Sequence, residues 1–562
     1  MSDKNKTYKV TVKNKSNSRL VKTIAIVASL VVIASTLVFA FTFKPRTVVN
    51  VAASTDVIAY FDGNGVTEYL NKKLRVRIRW MDYGTEDIME KLKADMSSLE
   101  SGARVTLPDA YLGLGLYTDE MRIVSNQLFL DITNIAYTSN SAINYRTVLE
   151  RNPTMRSRLS VDGKIYSFPS LYEDYASRYP QKVWVNSQWL QNLGIGMPQT
   201  TDEFYEMLKR FKEDDPNKNG EKDEMPLGGA YSGMGYNNLG FLINAFVASD
   251  YDLSDNANYF NVDNNGRVYT AVTDPKFKDA LVYLQRLMEE GLIAKDIFQT
   301  SADALLEGSI TAEKYGVIAA PDINGIFGNE DRASVYEPMP PLNGGNQATI
   351  VLPRNVQGGG YMIGKETKVM DKALAIGDTL LSMEGTLTLF HGVKGGDWNV
   401  ADANRQGMGG DDAVWKLNKN DNAITPPFGD IKGAVPFWYS TEIAMSQQAM
   451  ANEAGEVNLQ SNINWKGYLN KITYDLYEPV GRINENASLP EIVFSPEEEI
   501  MLSKDGNMRA EIYDYLTATC REFVTGKLDI EEHWDGYVQT LSEKGLEQFL
   551  ELTQRAYDRA QP

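Results

Sequence analysis

The 562-residue chain carries 75 acidic and 56 basic side chains, a formal charge of −19, with 43% hydrophobic and 10% aromatic residues. Acidity on this scale repels polyphosphate and excludes nucleic acid as a partner. A single cysteine, Cys520, excludes a disulfide framework and cysteine-based metal centres. The length exceeds what one hydrophobic core holds, so at least two lobes are expected.

Residues 1–22 hold seven basic side chains and one acidic, leaving −25 on the rest of the chain. They read as a basic cytoplasmic tail. Residues 23–43 follow without a charge, and 21 residues in a helix match a bilayer core of about 30 Å. The positive-inside bias leaves everything beyond them on the outer face, anchored by one transmembrane helix, with residues 44–53 as a tether. A cleaved signal peptide is the competing reading, with Val51-Ala52-Ala53 as a small-residue cleavage site. No cysteine follows the apolar run, so a lipid anchor is excluded.

Beyond the tether, residues 54–562 alternate strand-like and helix-like segments. Leu74, Val76, Ile78 and Trp80 interleave with Arg75, Arg77 and Arg79, the period-two pattern of a strand with one wet face. Ile88, Leu92 and Met96 repeat at helical spacing, and Asp109–Leu112 reads as the next strand. Alternation of this kind indicates an α/β sheet. Thr200 and Glu203 form a capping box ahead of an apolar face of Phe204, Met207, Leu208 and Phe211. Helices are also expected over 275–290, 370–390 and 496–525, and loops over 228–238, 343–360 and 392–410.

Enzyme signatures fail on particular residues. With only His391 and His533 there is little material for a histidine triad or a multi-histidine metal centre. The stretch 359–365 imitates a phosphate loop, but Glu366 stands where Ser or Thr would hold magnesium, and it reads as a loop-to-strand turn. Neither Gly113-Leu-Gly115 nor Gly233-Met-Gly235 completes a dinucleotide fingerprint. A pair of carboxylates acting on a glycan stays open as the enzymatic alternative.

The most specific local signal is Asp215-Pro-Asn217-Lys-Asn219-Gly220-Glu221-Lys-Asp223-Glu224. Calcium takes six to eight oxygens, and side chains at positions 1, 3 and 5 aim oxygens at one point while Gly at 6 allows a sharp turn. Glu221 would contribute its carbonyl, and Asp223 and Glu224 would close the shell, because position 12 is Pro226. An Asx-rich turn after a helix is the plainer alternative.

The run Val183-Trp184-Val185-Asn186 to Leu193-Gly194, then Pro198-Gln-Thr200-Thr201-Asp202-Glu203-Phe204 and the Asp215 loop, resembles the extracellular solute-binding proteins, family 1, of bacterial ABC importers. The resemblance is to their large oligosaccharide-binding type with a calcium loop. Asp162–Tyr166, His391–Trp398 and Trp534–Tyr537 agree in order. The resemblance implies an α/β, two-lobed periplasmic-binding-protein-like fold of type II, with two discontinuous lobes and a ligand cleft between them. It also implies calcium on Asp215, Asn217, Asn219, Glu221, Asp223 and Glu224, a carbohydrate ligand, ABC permease subunits as partners and no catalysis. A ligand sensor without a transporter is the other role open to such a receptor. Sugars offer apolar ring faces and many hydroxyls, so aromatic residues beside polar ones in loops are the candidates. These are Tyr172, Tyr175, Tyr236, Asp397, Trp398, Trp438 and Tyr439, with Trp398 foremost because it lies in a glycine-rich loop.

Overall fold

The computed structural model describes residues 46–561 apart from 306–313, 322–334, 346–355, 419–434, 449–461, 482–488 and shorter stretches between them. The basic tail and residues 23–43 lie outside the described residues, among which no helix is long and apolar enough to cross a membrane. Residues 47–53 are not a tether. They form β1 (Thr47–Ala53), which pairs in parallel with a strand on either side, and Val49, Val51, Ala52 and Ala53 are buried. A strand covered on both faces is a continuous apolar run with no alternation to announce it.

The first lobe continues with α1 (Thr55–Gly63), α2 (Val66–Leu74), β2 (Val76–Asp82), α3 (Ile88–Glu100), β3 (Ala110–Leu112), α4 (Thr118–Leu128), α5 (Ile143–Arg151) and β4 (Ser167–Tyr172). The chain then crosses to a second lobe with β5 (Val183–Asn186), α6 (Thr201–Glu213), β6 (Met225–Leu227), α7 (Pro275–Glu289), β7 (Tyr315–Ala319) and β8 (Tyr336–Pro338). It returns for β9 (Val356–Ile363), α8 (Met370–Leu380), α9 (Met383–His391), the hairpin β10 (Trp398–Val400) and β11 (Trp415–Leu417), and β12 (Phe437–Tyr439). Finally α10 (Asn462–Gly481), α11 (Met508–Val524), α12 (Ile530–Glu543) and α13 (Leu546–Ala560) pack into the second lobe.

The first sheet has the order β12-β4-β9-β3-β1-β2 and the second β8-β5-β7-β6. Each has its own core. Phe61, Leu70, Ile78, Phe168, Tyr361 and Phe437 belong to the first, and Trp189, Phe211, Leu284, Tyr477 and Phe549 to the second. The capping box on α6 forms as expected, with Glu203 N–H donating to Thr200 Oγ1 at 3.2 Å and Thr200 N–H to Glu203 Oε2 at 3.3 Å.

Three expectations change. The helix read over 370–390 is two, because Ser382 caps a new start, accepting from Gly385 N–H at 3.0 Å. The helix read over 496–525 divides likewise, with Asn507 capping α11. The stretch 356–363, read within a loop and a loop-to-strand turn, is strand β9. Gly113, rejected as part of a nucleotide loop, turns the chain after β3: its φ is 65°, and a Cβ there would lie 2.4 Å from Val57 Cγ2 on α1.

Candidate ligand cleft and metal loop

In the first sheet β12, β4, β3, β1 and β2 run parallel and β9 alone antiparallel. Ala53, Asp82, Leu112, Tyr172 and Tyr439 therefore finish on one edge. In the second, β6, β7 and β8 run parallel and β5 opposes them, so Leu227, Ala319 and Pro338 finish where Val183 begins. The crossings leave Tyr172 for Val183, Pro338 for Val356, and Tyr439 for α10. Each crossing starts at a carboxyl edge, and the first two also arrive at one. Crevices outside the carboxyl ends of strands are where open α/β sheets take ligands.

On the first lobe's edge, Glu173 follows β4 and Trp438 ends in β12 next to it, because the register pairs Tyr172 with Tyr439. The Trp438 indole Nε1 donates to Glu173 Oε2 at 2.6 Å, and the Glu173 N–H donates to the Tyr439 carbonyl at 3.0 Å. The Arg151 guanidinium, from the end of α5, lies 5.1 Å from the Trp438 ring centre and 3.9 Å from Glu442. Tyr439 packs on Phe390, ring centres 4.8 Å apart. A partly exposed indole flanked by a carboxylate and a guanidinium combines an apolar face with charged hydrogen-bonding groups.

On the second lobe's edge, the loop after β6 is braced by Asn238 Nδ2, which donates to the Gly228 carbonyl at 2.6 Å. Tyr231 in that loop lies under the Arg521 guanidinium of α11, 4.4 Å from it, and accepts a hydrogen bond from it.

The residues singled out from sequence divide. Trp438 and Tyr439 sit at the first lobe's carboxyl edge. Tyr172 ends β4 there, though its side chain lies outside the described residues, as does Tyr175 entirely. Tyr236 is half-buried against the Trp184, Ala320 and Tyr336 cluster. Trp398 is not a platform: it is 3% exposed, packed with Leu387, Trp415 and Ile443, and its Nε1 donates to the Gly392 carbonyl at 2.9 Å. Asp397 caps that turn, Oδ2 accepting from Val393 N–H at 2.8 Å. The glycine-rich loop closes over its own tryptophan. Glu173 and Tyr231 lie in the same loop stretches as the aromatic candidates Tyr172 and Tyr236, whereas Arg151 carries no sequence signal of its own, since it acquires a role through partners far along the chain.

The metal loop follows α6 with Asp215, Lys218 and Gly220 at positive φ. Asp215 accepts from Asn219 N–H at 3.1 Å and Gly220 N–H at 3.0 Å, and Asn219 Oδ1 from Glu221 N–H at 2.7 Å, as in an Asx turn. Asn219 Nδ2 donates to Asp223 Oδ1 at 3.1 Å. Among the described residues no three acidic, histidine or cysteine side chains converge as a ready-made cage. Glu224 is what the turn leaves unexplained. It is buried, and neither carboxylate oxygen has a hydrogen-bond partner. Burial, then the charges of Asp215 and Asp223, hold its carboxyl above the usual range. A buried carboxylate with no side-chain partner is costly unless something compensates its charge.

These features define a protein of two α/β lobes joined by crossings at the carboxyl edges of their sheets, the architecture of solute-binding proteins. The model of the bacterial extracellular solute-binding protein family matches residues 53–387, and the chain belongs to that family. It is 26% identical over 511 residues to the fructooligosaccharide ABC transporter substrate-binding protein FusA of Streptococcus pneumoniae, covering 88% of this chain and 87% of that one. A human-milk-oligosaccharide (HMO)-binding ABC-transporter-associated solute-binding protein from Bifidobacterium longum infantis superposes with a TM-score of 0.66 at 20% identity, covering 92% of this chain and all of that one (100%). FusA in complex with kestose superposes with a TM-score of 0.57 at 22% identity, covering 91% and 99%.

Proposed function

We propose that the chain is a membrane-tethered extracellular substrate-binding protein that captures an oligosaccharide by closure of its lobes and hands it to an ABC permease. The observation that carries this reading is the Glu173–Trp438 pair with Arg151 beside it, at the edge where the chain crosses between lobes. The indole face stacks on a sugar ring and the charged groups hold its hydroxyls, while no bond is made or broken. FusA, a fructooligosaccharide ABC transporter substrate-binding protein, supports the ligand class. The test is titration calorimetry with kestose and other short oligosaccharides, with chromatography of the mixture afterwards. Saturable heat with intact sugar supports capture; cleaved sugar would show a glycan hydrolase or lyase instead.

Residues 23–43 supply the anchor in this reading, with the N-terminus cytoplasmic and the lobes outside. Calcium completes it as a structural staple. Asp215, Asn217 and Asn219 would give side-chain oxygens, Glu221 its carbonyl, and Asp223 and Glu224 the closing carboxylates. The ion would hold the end of α6 to the start of β6, and Glu224 would gain the partner its burial demands. FusA solved as an EF-hand mutant and the alginate-binding protein AlgQ2 solved without calcium ion are relatives in which such a site has been addressed.

A further inference from the structure

A basic surface of this acidic chain lies on the first lobe, towards the end of its sheet opposite the carboxyl edge. Residues 69–81 contain Lys72, Lys73, Arg75, Arg77 and Arg79 and no acidic side chain. All five are exposed. Lys73 pairs with Glu384 at 2.7 Å, but among the described residues Lys72, Arg75, Arg77 and Arg79 make no ion pair. The fold explains their exposure: β2 is an edge strand that buries Val76 and Ile78 and turns Arg77 and Arg79 outward. Arg75 caps α2 with φ at 54°, a conformation that favours glycine, so the backbone there gives no reason for an arginine. On the same edge Lys365 and Lys368 are balanced by Glu366 and Asp371 and add nothing.

The start of the sheet is also where the chain enters from the apolar run. Thr47 pairs in parallel with Val76, so Arg46 and Arg75 stand side by side at the amino edge. Only Lys44, Pro45 and Arg46 separate Phe43 from β1, a reach of about 10 Å fully extended. That is close to the Debye length at physiological salt, roughly 8 Å, within which charges still act on one another.

We propose that this arginine face docks on anionic phospholipid headgroups of the membrane that holds residues 23–43, a proposal resting on the anchor reading above. The cleft, at the other end of a seven-residue β1 and so about 23 Å away, then opens away from the bilayer. Each basic side chain near an anionic surface shifts the docked population roughly fivefold, so three arginines together shift it roughly a hundredfold.

The test uses the full chain in nanodiscs of phosphatidylcholine alone or with phosphatidylglycerol. A fluorophore on Thr106→Cys, the native Cys520 being buried, reports energy transfer to labelled headgroups. Transfer should be highest with phosphatidylglycerol and fall in 1 M salt (a Debye length of about 3 Å). It should fall equally in the Arg75→Gln, Arg77→Gln, Arg79→Gln variant, whose melting curve checks that it is folded. Transfer indifferent to lipid, salt and variant overturns the docking face while leaving the anchor intact. A chain that washes off vesicles in alkaline carbonate overturns both.

Discussion

The indole of Trp438 donates to the carboxylate of Glu173 at 2.6 Å, joining residues 265 positions apart at the carboxyl edge of the first sheet. A hydrogen bond to a charged group is worth about 1.5–3 kcal/mol, and here it fixes the ring that is proposed to meet the ligand. Glu173→Ala should weaken oligosaccharide binding about tenfold or more, and Glu173→Gln, which keeps an acceptor, by less. Calorimetry with kestose reads both; equal affinity in all three proteins would take the pair out of the ligand site.

Trp398 has the opposite expectation. A nearly buried indole among Leu387, Trp415 and Ile443 holds the β10–β11 hairpin on α9. Trp398→Ala should cost about 3–5 kcal/mol of stability, seen as a lower thermal midpoint, with affinity per folded molecule unchanged.

For the metal loop, Glu224 titrates above the usual carboxylate range. A raised folded pKa favours the protonated side chain in the fold, so without metal its contribution to stability is lost as pH rises through that pKa. Calcium binds the ionised form. The rise in melting temperature on adding calcium should therefore be largest near neutral pH and shrink as acid protonates Glu224. Glu224→Gln should remove most of it, and a melting curve insensitive to chelator would exclude the staple.

His391 packs against Trp415 with ring centres 4.6 Å apart and the planes tilted, and its Nε2 has no hydrogen-bond partner. Burial pushes its pKa down to about 4 from the ordinary 6.5. The unfolded chain takes up a proton that the fold refuses, so stability falls with pH between about 6.5 and 4, by up to about 3 kcal/mol. His391→Phe keeps the ring contact and should flatten that part of a denaturation-versus-pH curve; an unaltered slope would assign the acid sensitivity elsewhere.

Cleavage after Ala53 is incompatible with folding, because β1 lies between β3 and β2 and supplies Val49, Val51 and Ala53 to the first core. A chain beginning at Ser54 should be insoluble or molten by near-UV circular dichroism. N-terminal sequencing of the exported protein should never find Ser54 first.

Local pattern decided much of this protein. Export, the α/β class, the capping box at Thr200 and Glu203, the helix over 275–289 and the family resemblance all rest on residues close together in the chain, where spacing is itself geometry. Strand β1 escaped because burial on both faces removes the alternation that marks a strand, and Trp398 misled because a glycine-rich loop can fold over its own aromatic ring. The cleft edge was decided elsewhere. Whether a tryptophan is core or platform depends on which strand lies beside it, and only sheet order set Trp438 against Glu173 and buried Trp398 against Trp415. The sequence determined which residues were candidates for the proposed site; long-range packing decided which of them stand at the carboxyl edge of the first sheet.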